Sequence, residues 1–423
     1  MDKKFAVPRG TSDILPDRVL LWERLETAAR RVLKSYGCRE IRTPMYEETA
    51  LFKRSLGQTS DIVNKQLLAL AAAKEEGYAL RPEGTAAVVR SYLENSFDKN
   101  ELLSKFFYIG PMFRGERPQK GRLRQFHQIG VEAIGIDGAS AFLDAEILAL
   151  AMHLLEEFGV QGPKLKINSL GSREDKEHIS AWLRAELGKY KSDLCENCRS
   201  RFEGNVFRVL DCKNEFCKKV VRAVMGGQKG LPLSESSLDY FKSVQNTLEN
   251  LKINFEVSPY LVRGLDYYTH TVFEITAQGL GSQDAVGAGG RYDRLVHDLG
   301  GDGKTKFGGI GFALGIERIF LAAGDTAAPV QSLDVFVVAT QAQDAFGLAQ
   351  QLRRAGISAD MGFSAASFKS QMNRANKLNA RFALILGEEE LKNKSAAVKN
   401  MQTSVQEIVA LENIIEYLRK ALS

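Results

Sequence analysis

The chain has 423 residues, of which 44% are hydrophobic and 26% charged, and its formal net charge is +5. This length exceeds that of one typical domain core, so two or three domains are expected. The composition is that of an ordinary soluble protein, and the mild positive charge permits a nucleic-acid partner without arguing for one. The sequence shows no signal-peptide core, no run long enough to span a bilayer and no disulfide framework. We therefore expect a cytoplasmic, multidomain protein without membrane contact.

The first predicted elements are a helix and a short strand. Apolar residues recur at helical spacing from Leu21 to Tyr36 and are followed by Gly37, which predicts an amphipathic helix with its stop signal. Residues 39–44, REIRTP, predict a strand. Pro44 favours an edge or interface position for that strand, because proline cannot donate to a β-ladder.

The most informative segment is residues 106–135, FFYIGPMFRGERPQKGRLRQFHQIGVEAIG. It predicts two strands joined by a basic loop at 117–122. Side chains alternate between the faces of a strand, so Arg114 and Glu116 should share one face of the first strand. With Gly130 leaving a gap, one face of the second strand should carry Arg124, Phe126, Gln128 and Glu132. This face favours a binding floor for a ligand with a phosphate, a flat ring and polar groups. The alternative is a solvated sheet face.

The rest of the chain predicts further helices and strands in alternation. A helix is expected at 138–158, and strands are expected at 164–170, 260–275 and 284–287. Residues 172–255 are charged, helical in pattern and contain most of the cysteines, which is typical of an insertion. Beyond a small-residue linker at 322–329, a small α/β domain is predicted from strands at 335–339 and 382–386 and helices at 342–355, 368–378 and 405–422.

Three short segments carry unusual chemistry. In residues 81–85, RPEGT, a turn can direct a carboxylate and a hydroxyl at an ammonium group, with an ordinary helix cap as the alternative. In residues 261–268, LVRGLDYY, an arginine and two tyrosines surround a glycine, and a buried charge there needs an anionic partner. In residues 308–318, GGIGFALGIER, alternate glycines should leave one strand face bare for a flat adenosine. Arg318, in the first turn of the next helix, is then placed for a phosphate oxygen.

These segments resemble known motifs. Residues 113–128 resemble motif 2 of the class II aminoacyl-tRNA synthetases, in the wording of the histidyl-tRNA synthetase family. Residues 16–44 resemble motif 1, and residues 308–318 resemble motif 3. Residues 261–268 and 287–293, GAGGRYD, resemble the two histidine-specific motifs of that family. The motifs occur in the family's order and cover essentially the whole chain.

The resemblance implies an α+β fold and a domain organisation. A class II catalytic domain, a mainly antiparallel sheet flanked by helices, is expected over residues 1–325. It should be interrupted by a helical insertion domain at 172–255. An α/β anticodon-binding domain is expected at 331–423, and the protein should be a homodimer.

The resemblance also implies ATP-dependent ligation of L-histidine to tRNA(His) through a histidyl-adenylate, with release of AMP and pyrophosphate and with Mg²⁺ beside ATP. The implied catalytic residues are Arg263 and Arg114, at the α-phosphate. The implied histidine-binding residues are Glu83, Thr85, Gln128, Glu132, Arg263, Tyr267 and Tyr268. The implied ATP-binding residues are Arg114, Glu116, Arg122, Phe126 and Arg318, with Phe126 on the adenine and Arg318 on the γ-phosphate. Arg117 and Gln119 are the implied tRNA contacts.

Two alternatives stay open for the function and one for the cysteines. Catalytically inactive members of this fold regulate ATP phosphoribosyltransferase, but they typically lack the C-terminal domain and have eroded motifs. A pure RNA-binding protein would not need an intact ATP site. The cysteine spacing, C-x2-C at 195–198 and C-x4-C at 212–217, falls within the limits of structural zinc sites. Many relatives carry partial versions of these cysteines with no metal implied, so zinc at Cys195, Cys198, Cys212 and Cys217 is the less favoured reading.

Overall fold

The computed structural model describes residues 5–58, 60–71, 77–119, 121–226, 230–281, 284–324, 332–363 and 366–423. The chain forms two compact units. The first consists of residues 1–13 and 23–326, and the second of residues 14–22 and 327–423. No helix of the described residues combines the length and apolarity needed to cross a membrane.

The described residues form fifteen α-helices. Their bounds are α1 Pro16–Ser35, α2 Thr49–Leu56, α3 Thr85–Glu94, α4 Phe97–Asn100, α5 Ala141–Glu157, α6 Arg173–Gly188, α7 Glu196–Glu203, α8 Glu215–Met225, α9 Glu235–Asn250, α10 Leu295–Asp298, α11 Ile316–Ala323, α12 Ala342–Arg354, α13 Phe368–Lys377, α14 Glu388–Lys392 and α15 Ile414–Leu422. Helices α2 to α11 belong to the first unit and α12 to α15 to the second, while residues 16–22 of α1 are assigned to the second unit and the rest of α1 to the first.

The strands form three sheets. Their bounds are β1 Arg39–Glu40, β2 Tyr46–Glu48, β3 Ala69–Leu70, β4 Tyr78–Leu80, β5 Leu103–Phe113, β6 Gln125–Gly135, β7 Lys164–Ser169, β8 Phe255–Val257, β9 Thr269–Thr276, β10 Ala285–Arg291, β11 Gly308–Gly315, β12 Val335–Ala339, β13 Ala359–Met361, β14 Phe382–Leu386, β15 Ser395–Asn400 and β16 Gln406–Ala410. The sheet orders are β1-β5-β6-β11-β10-β9-β7-β8, β2-β4-β3 and β13-β12-β14-β15-β16.

The eight-stranded sheet carries the fold of the first unit. Its inner strands are all antiparallel to their neighbours, and only the outer pairs, β1 with β5 and β7 with β8, are parallel. Helix α5 contains Ile147 and Leu154, which are fully buried. The predicted α+β class, a mainly antiparallel sheet flanked by helices, is confirmed.

Many of the predicted elements are confirmed. Helix α1 ends two residues before Gly37, which has the positive φ (75°) of a helix stop. Strand β1 lies at the edge of the sheet as predicted, but it covers only Arg39–Glu40 of the predicted residues 39–44, so Pro44 lies beyond it. Strands β12 and β14 and helices α12 and α13 occur where the apolar runs and helical spacing predicted them. The predicted linker ends outside the described residues, beyond Gly324.

The hairpin of β5 and β6 is shorter than predicted at its loop end. Strand β5 ends at Phe113, so Arg114 and Glu116 do not lie on a strand, and Arg124 precedes β6. The Arg114 amide still donates to the Arg124 carbonyl (2.8 Å), but the Gly115 amide bonds the Gln66 carbonyl instead (2.6 Å). The chain therefore leaves the sheet because its next amide has a partner elsewhere.

Two other predicted elements are wrong in part. Residues 260–268 are not a strand, because β9 begins only at Thr269 and the Leu261 carbonyl accepts from the Asn168 side chain (2.9 Å). The segment 405–422 is not one helix. Its first half, with the β-branched Ile408 and Val409, pairs with β15 as strand β16, and helix α15 begins at Ile414.

The predicted insertion is helical, and its helices share a core with the sheet. Ser172 and Asp175 form a capping box that starts α6, each side chain accepting from the other's backbone amide. One apolar cluster contains Leu183 of α6, Met225 of α8 and residues beside the sheet such as Phe106. The end predicted at residue 255 falls within β8, which pairs with β7 of the large sheet.

Candidate active site

A cavity of about 1230 Å³ in the first unit brings most of the predicted site residues together. Its lining includes Glu83, Thr85, Arg114, Glu116, Arg122, Phe126, Gln128, Arg263, Tyr267, Tyr268 and Arg318. Glu132 lies behind this lining and is 1% exposed. Arg117 and Gln119 are exposed and do not line the cavity.

The carboxylate of Glu83 caps helix α3. It accepts from the backbone amides of Thr85 (2.6 Å) and Ala86 (3.0 Å). Burial raises the pKa of Glu83, and the two amides oppose that shift. The helix cap given as the alternative for residues 81–85 therefore forms, and its hydrogen bonds hold the Glu83 carboxylate where it lines the cavity.

Glu132 is held by three hydroxyl groups. Its Oε1 accepts from Thr85 Oγ1 (2.7 Å) and from the Tyr108 hydroxyl (3.3 Å), and its Oε2 accepts from the Tyr292 hydroxyl. Burial raises the pKa of Glu132 to about 8, because it outweighs the lowering effect of these donors. Burial therefore favours the protonated form of this carboxyl, which can both donate and accept.

The gap predicted at Gly130 is not open to a ligand. A Cβ at Gly130 or at Gly84 would overlap the Tyr108 ring, which fills this space from strand β5. The bare face predicted on β11 is likewise filled at two glycines, where a Cβ would meet Tyr292 (from Gly309) or Glu132 (from Gly311). At these glycines the missing side chain makes room for the protein's own side chains. The strand still lines the cavity at Gly311, Ala313 and Gly315.

The segment 261–268 forms one wall of the cavity. Arg263 does have an anionic partner, Glu274 of β9, at 3.0 Å. Tyr267 and Tyr268 are buried, with ring centroids 4.6 Å apart, and burial raises the pKa of both. Lys176 of helix α6 donates to the Tyr268 carbonyl (2.7 Å) and so fixes the backbone of this segment.

The lining also includes residues at the loop end of the hairpin. The guanidinium of Arg114 donates to the Pro82 carbonyl (2.9 Å) and lies 5.0 Å from the centroid of the Phe126 ring, a cation–π distance. Burial lowers the pKa of Arg114 but leaves it a cation. Glu116 and Arg122 approach each other at 3.5 Å.

Arg318 projects from the first turn of α11, as predicted. Its Nε donates to the Ala285 carbonyl (2.5 Å) and its Nη1 to the Gly121 carbonyl (3.2 Å). These bonds connect β10 to the loop between β5 and β6. The side chain is thereby held at the cavity margin.

Two buried polar atoms of the lining have no hydrogen-bond partner within the described part of the chain. They are Oε1 of Gln128 and Nε of Arg263. Buried polar groups are normally paired, so unpaired atoms at a cavity wall indicate that a ligand completes them. A donor group would suit Gln128 Oε1, and an anion would suit Arg263.

The carboxylates of the cavity fit Mg²⁺ when it is bound with a phosphate ligand. Glu116, Glu274 and Asp284 line the cavity and offer oxygen ligands. Among the described residues these carboxylates do not form a cluster of three ligand atoms. Mg²⁺ is commonly held by one or two carboxylates plus substrate phosphates, which agrees with this arrangement.

Sequence reasoning missed several residues of the site. Tyr108 had no assigned role, although its ring fills the space beside Gly84 and Gly130. Tyr292 lies in the second histidine-specific motif but had no assigned role. Arg291 beside it is a structural residue, because it is 1% exposed and bonds the buried carboxylate of Asp144 (3.0 Å).

The antiparallel sheet with its arginine-lined cavity is the catalytic fold of a class II aminoacyl-tRNA synthetase. The family profile for histidyl-tRNA synthetase matches residues 10–172 and 207–319, and the anticodon binding domain profile matches residues 334–421. The chain belongs to the histidyl-tRNA synthetase family.

Similar proteins cover almost the full length. The chain is 44% identical to a histidine–tRNA ligase of Syntrophotalea carbinolica, over 97% of each chain. It is 45% identical to one of Moorella thermoacetica, over 98% of this chain and 97% of the other. The crystal structure of apo S. aureus histidyl-tRNA synthetase has a TM-score of 0.80 at 34% identity and covers 98% of this chain and 100% of that one.

Proposed function

We propose that this chain catalyses the ATP-dependent ligation of L-histidine to tRNA(His), through a histidyl-adenylate and with release of AMP and pyrophosphate. The observation that carries this proposal is the convergence of three arginines, Arg114, Arg263 and Arg318, on one cavity beside the carboxylate of Glu83. A regulatory paralogue with eroded motifs would not retain these residues together with a C-terminal domain.

In the first step the carboxylate of histidine attacks the α-phosphorus of ATP, and the bond to the pyrophosphate oxygen breaks. An anion attacks an anion, so the enzyme must position both and neutralise charge. We assign Arg263 and Arg114 to the α-phosphate, since both face the cavity and Arg263 has a buried Nε without a partner in the described structure. The arginine fork matches the geometry of phosphate oxygens.

The amino acid is held by polar groups at the buried end of the cavity. Glu83 and Gln128 bind the α-ammonium group, which donates to the unpaired Gln128 oxygen. The hydroxyl of Thr85 is directed at Glu132 (2.7 Å), so Thr85 acts on the ligand through that carboxyl.

Glu132 and Tyr268 bind the two imidazole nitrogens, and Tyr267 and Arg263 complete this wall. A neutral imidazole offers one donor and one acceptor, and a neutral Glu132 carboxyl offers the same, so their pairing buries no net charge. Such a site rejects apolar amino acids strongly, because its own polar groups would be left unpaired.

ATP occupies the open end of the cavity. Phe126 stacks on the adenine, Glu116 and Arg122 lie beside the nucleotide, and Arg318 binds the γ-phosphate. When bound, Mg²⁺ neutralises part of the charge of the outer phosphates. The arginines of the lining can bind the phosphates, and the carboxylates of the lining can bind the Mg²⁺ ion.

In the second step the histidyl group moves to the terminal ribose of tRNA(His). We propose that Arg117 and Gln119 contact the acceptor end, since they are exposed beside the cavity margin at Arg122. The anticodon-binding domain, assigned to residues 331–423, would hold the anticodon stem-loop. Residues 1–325 would form the catalytic domain, interrupted by an insertion domain at 172–255.

We further propose a cytoplasmic homodimer. Large apolar side chains are exposed just before β5 (Leu102, 64%), just after β6 (Ile136, 44%) and in the first turn of α5 (Phe142, 70%). Clustered exposed apolar residues commonly mark protein interfaces. Light scattering on the purified chain tests the dimer, and a monomeric mass at micromolar concentration would contradict it.

Charging of tRNA tests the proposed function. Purified chain, ATP, Mg²⁺ and radiolabelled histidine should label a tRNA(His) transcript, and should leave a transcript of another specificity unlabelled. An Arg318→Ala variant is the matched control for the catalytic machinery. If a folded preparation labels no tRNA, the alternative of a catalytically inactive regulatory protein is favoured instead.

A further inference from the structure

Four cysteines from separate parts of the insertion converge on one point. Cys195 precedes helix α7, Cys198 lies in its first turn, Cys212 follows the turn at 206–209, and Cys217 lies in the first turn of α8. All four Sγ atoms lie within 4.8 Å of one another. Among the described residues, this is the group of possible ligands that has the geometry to hold a metal ion.

The spacing of the sulfurs matches a metal site and not a disulfide. The Cys195 and Cys212 sulfurs are 3.9 Å apart. Zn–S bonds of about 2.3 Å in a tetrahedron place the sulfurs about 3.8 Å apart, whereas a disulfide requires about 2.0 Å. Two pairs of thiols that only filled an apolar core would have no reason to converge on a common centre.

The backbone around the cluster is arranged to stabilise thiolates. The Cys195 amide donates to the Cys217 sulfur (3.2 Å), and the Asn214 amide donates to the Cys212 sulfur (3.4 Å). Helices α7 and α8 both begin at the cluster, with the positive ends of their dipoles beside the sulfurs. Hydrogen bonds to the ligands from outside the metal shell are a regular feature of metal sites.

We propose that Cys195, Cys198, Cys212 and Cys217 bind one structural Zn²⁺ ion. Four thiolates in tetrahedral array favour zinc or iron among the common metals, and a closed set of four protein ligands is typical of structural zinc. With four ligands present, no coordination position is left for a substrate. The site is thus structural and takes no part in the chemistry of the cavity.

The zinc site holds a segment that supports the cavity wall. Between the two cysteine pairs, Asn205 donates to the Asp266 carboxylate (2.6 Å), and Arg208 forms an ion pair with Asp61. Asp266 directly precedes Tyr267 and Tyr268. By closing the loop from 195 to 217, zinc fixes these contacts, and its loss should loosen the wall and lower the melting temperature.

Metal analysis of the untagged full-length chain tests the proposal. After gel filtration, elemental analysis should find one zinc and no iron per chain, and mercurial titration of the thiols should release that zinc. A Cys195→Ser/Cys217→Ser variant should lose the zinc and melt several degrees lower. Cys38→Ala is the matched control, because Cys38 is a buried free cysteine outside the cluster and its loss should leave the zinc in place.

Cobalt substitution tests the same zinc site without any variant. Chain depleted of zinc and supplied with Co²⁺ should show intense thiolate-to-cobalt charge-transfer absorption typical of tetrahedral sulfur coordination. Zinc-free protein with freely titrating thiols and no cobalt spectrum would overturn the proposal, as would stoichiometric iron or a Cys195–Cys212 disulfide in the native chain.

Discussion

Replacement of Arg263 by alanine should abolish most histidine adenylation without unfolding the chain. The side chain pairs with Glu274 at 3.0 Å, and the two side chains are 23% and 28% exposed. A partly exposed pair of this kind contributes about 1 kcal/mol to stability. That lowers the melting temperature by only a few degrees in a chain of this size.

The catalytic effect should be far larger. Loss of one positioned donor to a developing charge typically costs ~10²–10³-fold in kcat, or about 2.7–4 kcal/mol of the barrier. Instability from the lost ion pair is too small to produce that decrease. Histidine-dependent exchange of pyrophosphate into ATP measures the step directly, and calorimetric titration with histidine measures binding separately.

Two further variants separate charge from structure. Arg263→Lys keeps the charge but loses the fork, so it should recover only part of the exchange rate. Arg294→Ala removes an exposed arginine that directly precedes helix α10 and pairs with Asp298, and it should leave the rate unchanged. If Arg263→Ala exchanges pyrophosphate within a few-fold of the unmodified chain, the role assigned to Arg263 is wrong.

Three other predictions follow from buried and exposed charges. Burial raises the pKa of Glu132 to about 8, above its ordinary value of 4.5, so its contribution to stability is complete below pH 4.5 and is lost as pH rises through about 8. Glu132→Gln should therefore flatten the fall in melting temperature between pH 5 and 9, and parallel curves for the two proteins would contradict this. Asp144→Ala should destabilise the chain by about 3–5 kcal/mol, because it removes the fully buried carboxylate that pairs with Arg291 and leaves that arginine only the partly exposed Asp293 as an ionic partner. An unchanged denaturation midpoint would refute that. The double change Lys369→Glu/Lys377→Glu, on an exposed face of α13, should raise the KM for tRNA about tenfold or more and weaken the salt dependence of tRNA binding. Pyrophosphate exchange should stay intact. The control Lys392→Glu/Lys420→Glu, at exposed positions outside α13, should change neither the KM for tRNA nor its salt dependence.

The sequence predicted the fold where periodicity is strong. Apolar runs placed β12 and β14, and helical spacing placed α1 and α12, because each of these elements buries one regular face. The strand predicted at residues 260–268 does not form. There the Leu261 carbonyl accepts a hydrogen bond from the Asn168 side chain instead of from a neighbouring strand. The helical prediction also failed at 406–410, because pairing with β15 decides the conformation of that segment.

The site was predictable as a set of residues but not as a set of contacts. Residue spacing cannot show that the gap at Gly130 is filled by Tyr108, or that Arg263 pairs with Glu274, since each pair is formed by separate segments of the chain. The cysteines illustrate the same limit. Their spacing is compatible with zinc, but partial sets of these cysteines in relatives made zinc the less favoured interpretation, and only the fold shows that both pairs meet at one centre.

Amino-acid specificity in the adenylation step tests the central claim most directly. The full-length chain should be assayed for pyrophosphate exchange into ATP with each of the twenty amino acids in turn, at saturating ATP and Mg²⁺. The arrangement of Glu83, Gln128, Glu132 and Tyr268 predicts exchange with histidine and background rates with the other nineteen. Exchange driven equally well by another amino acid, or no exchange with any, would contradict a histidine-adenylating site.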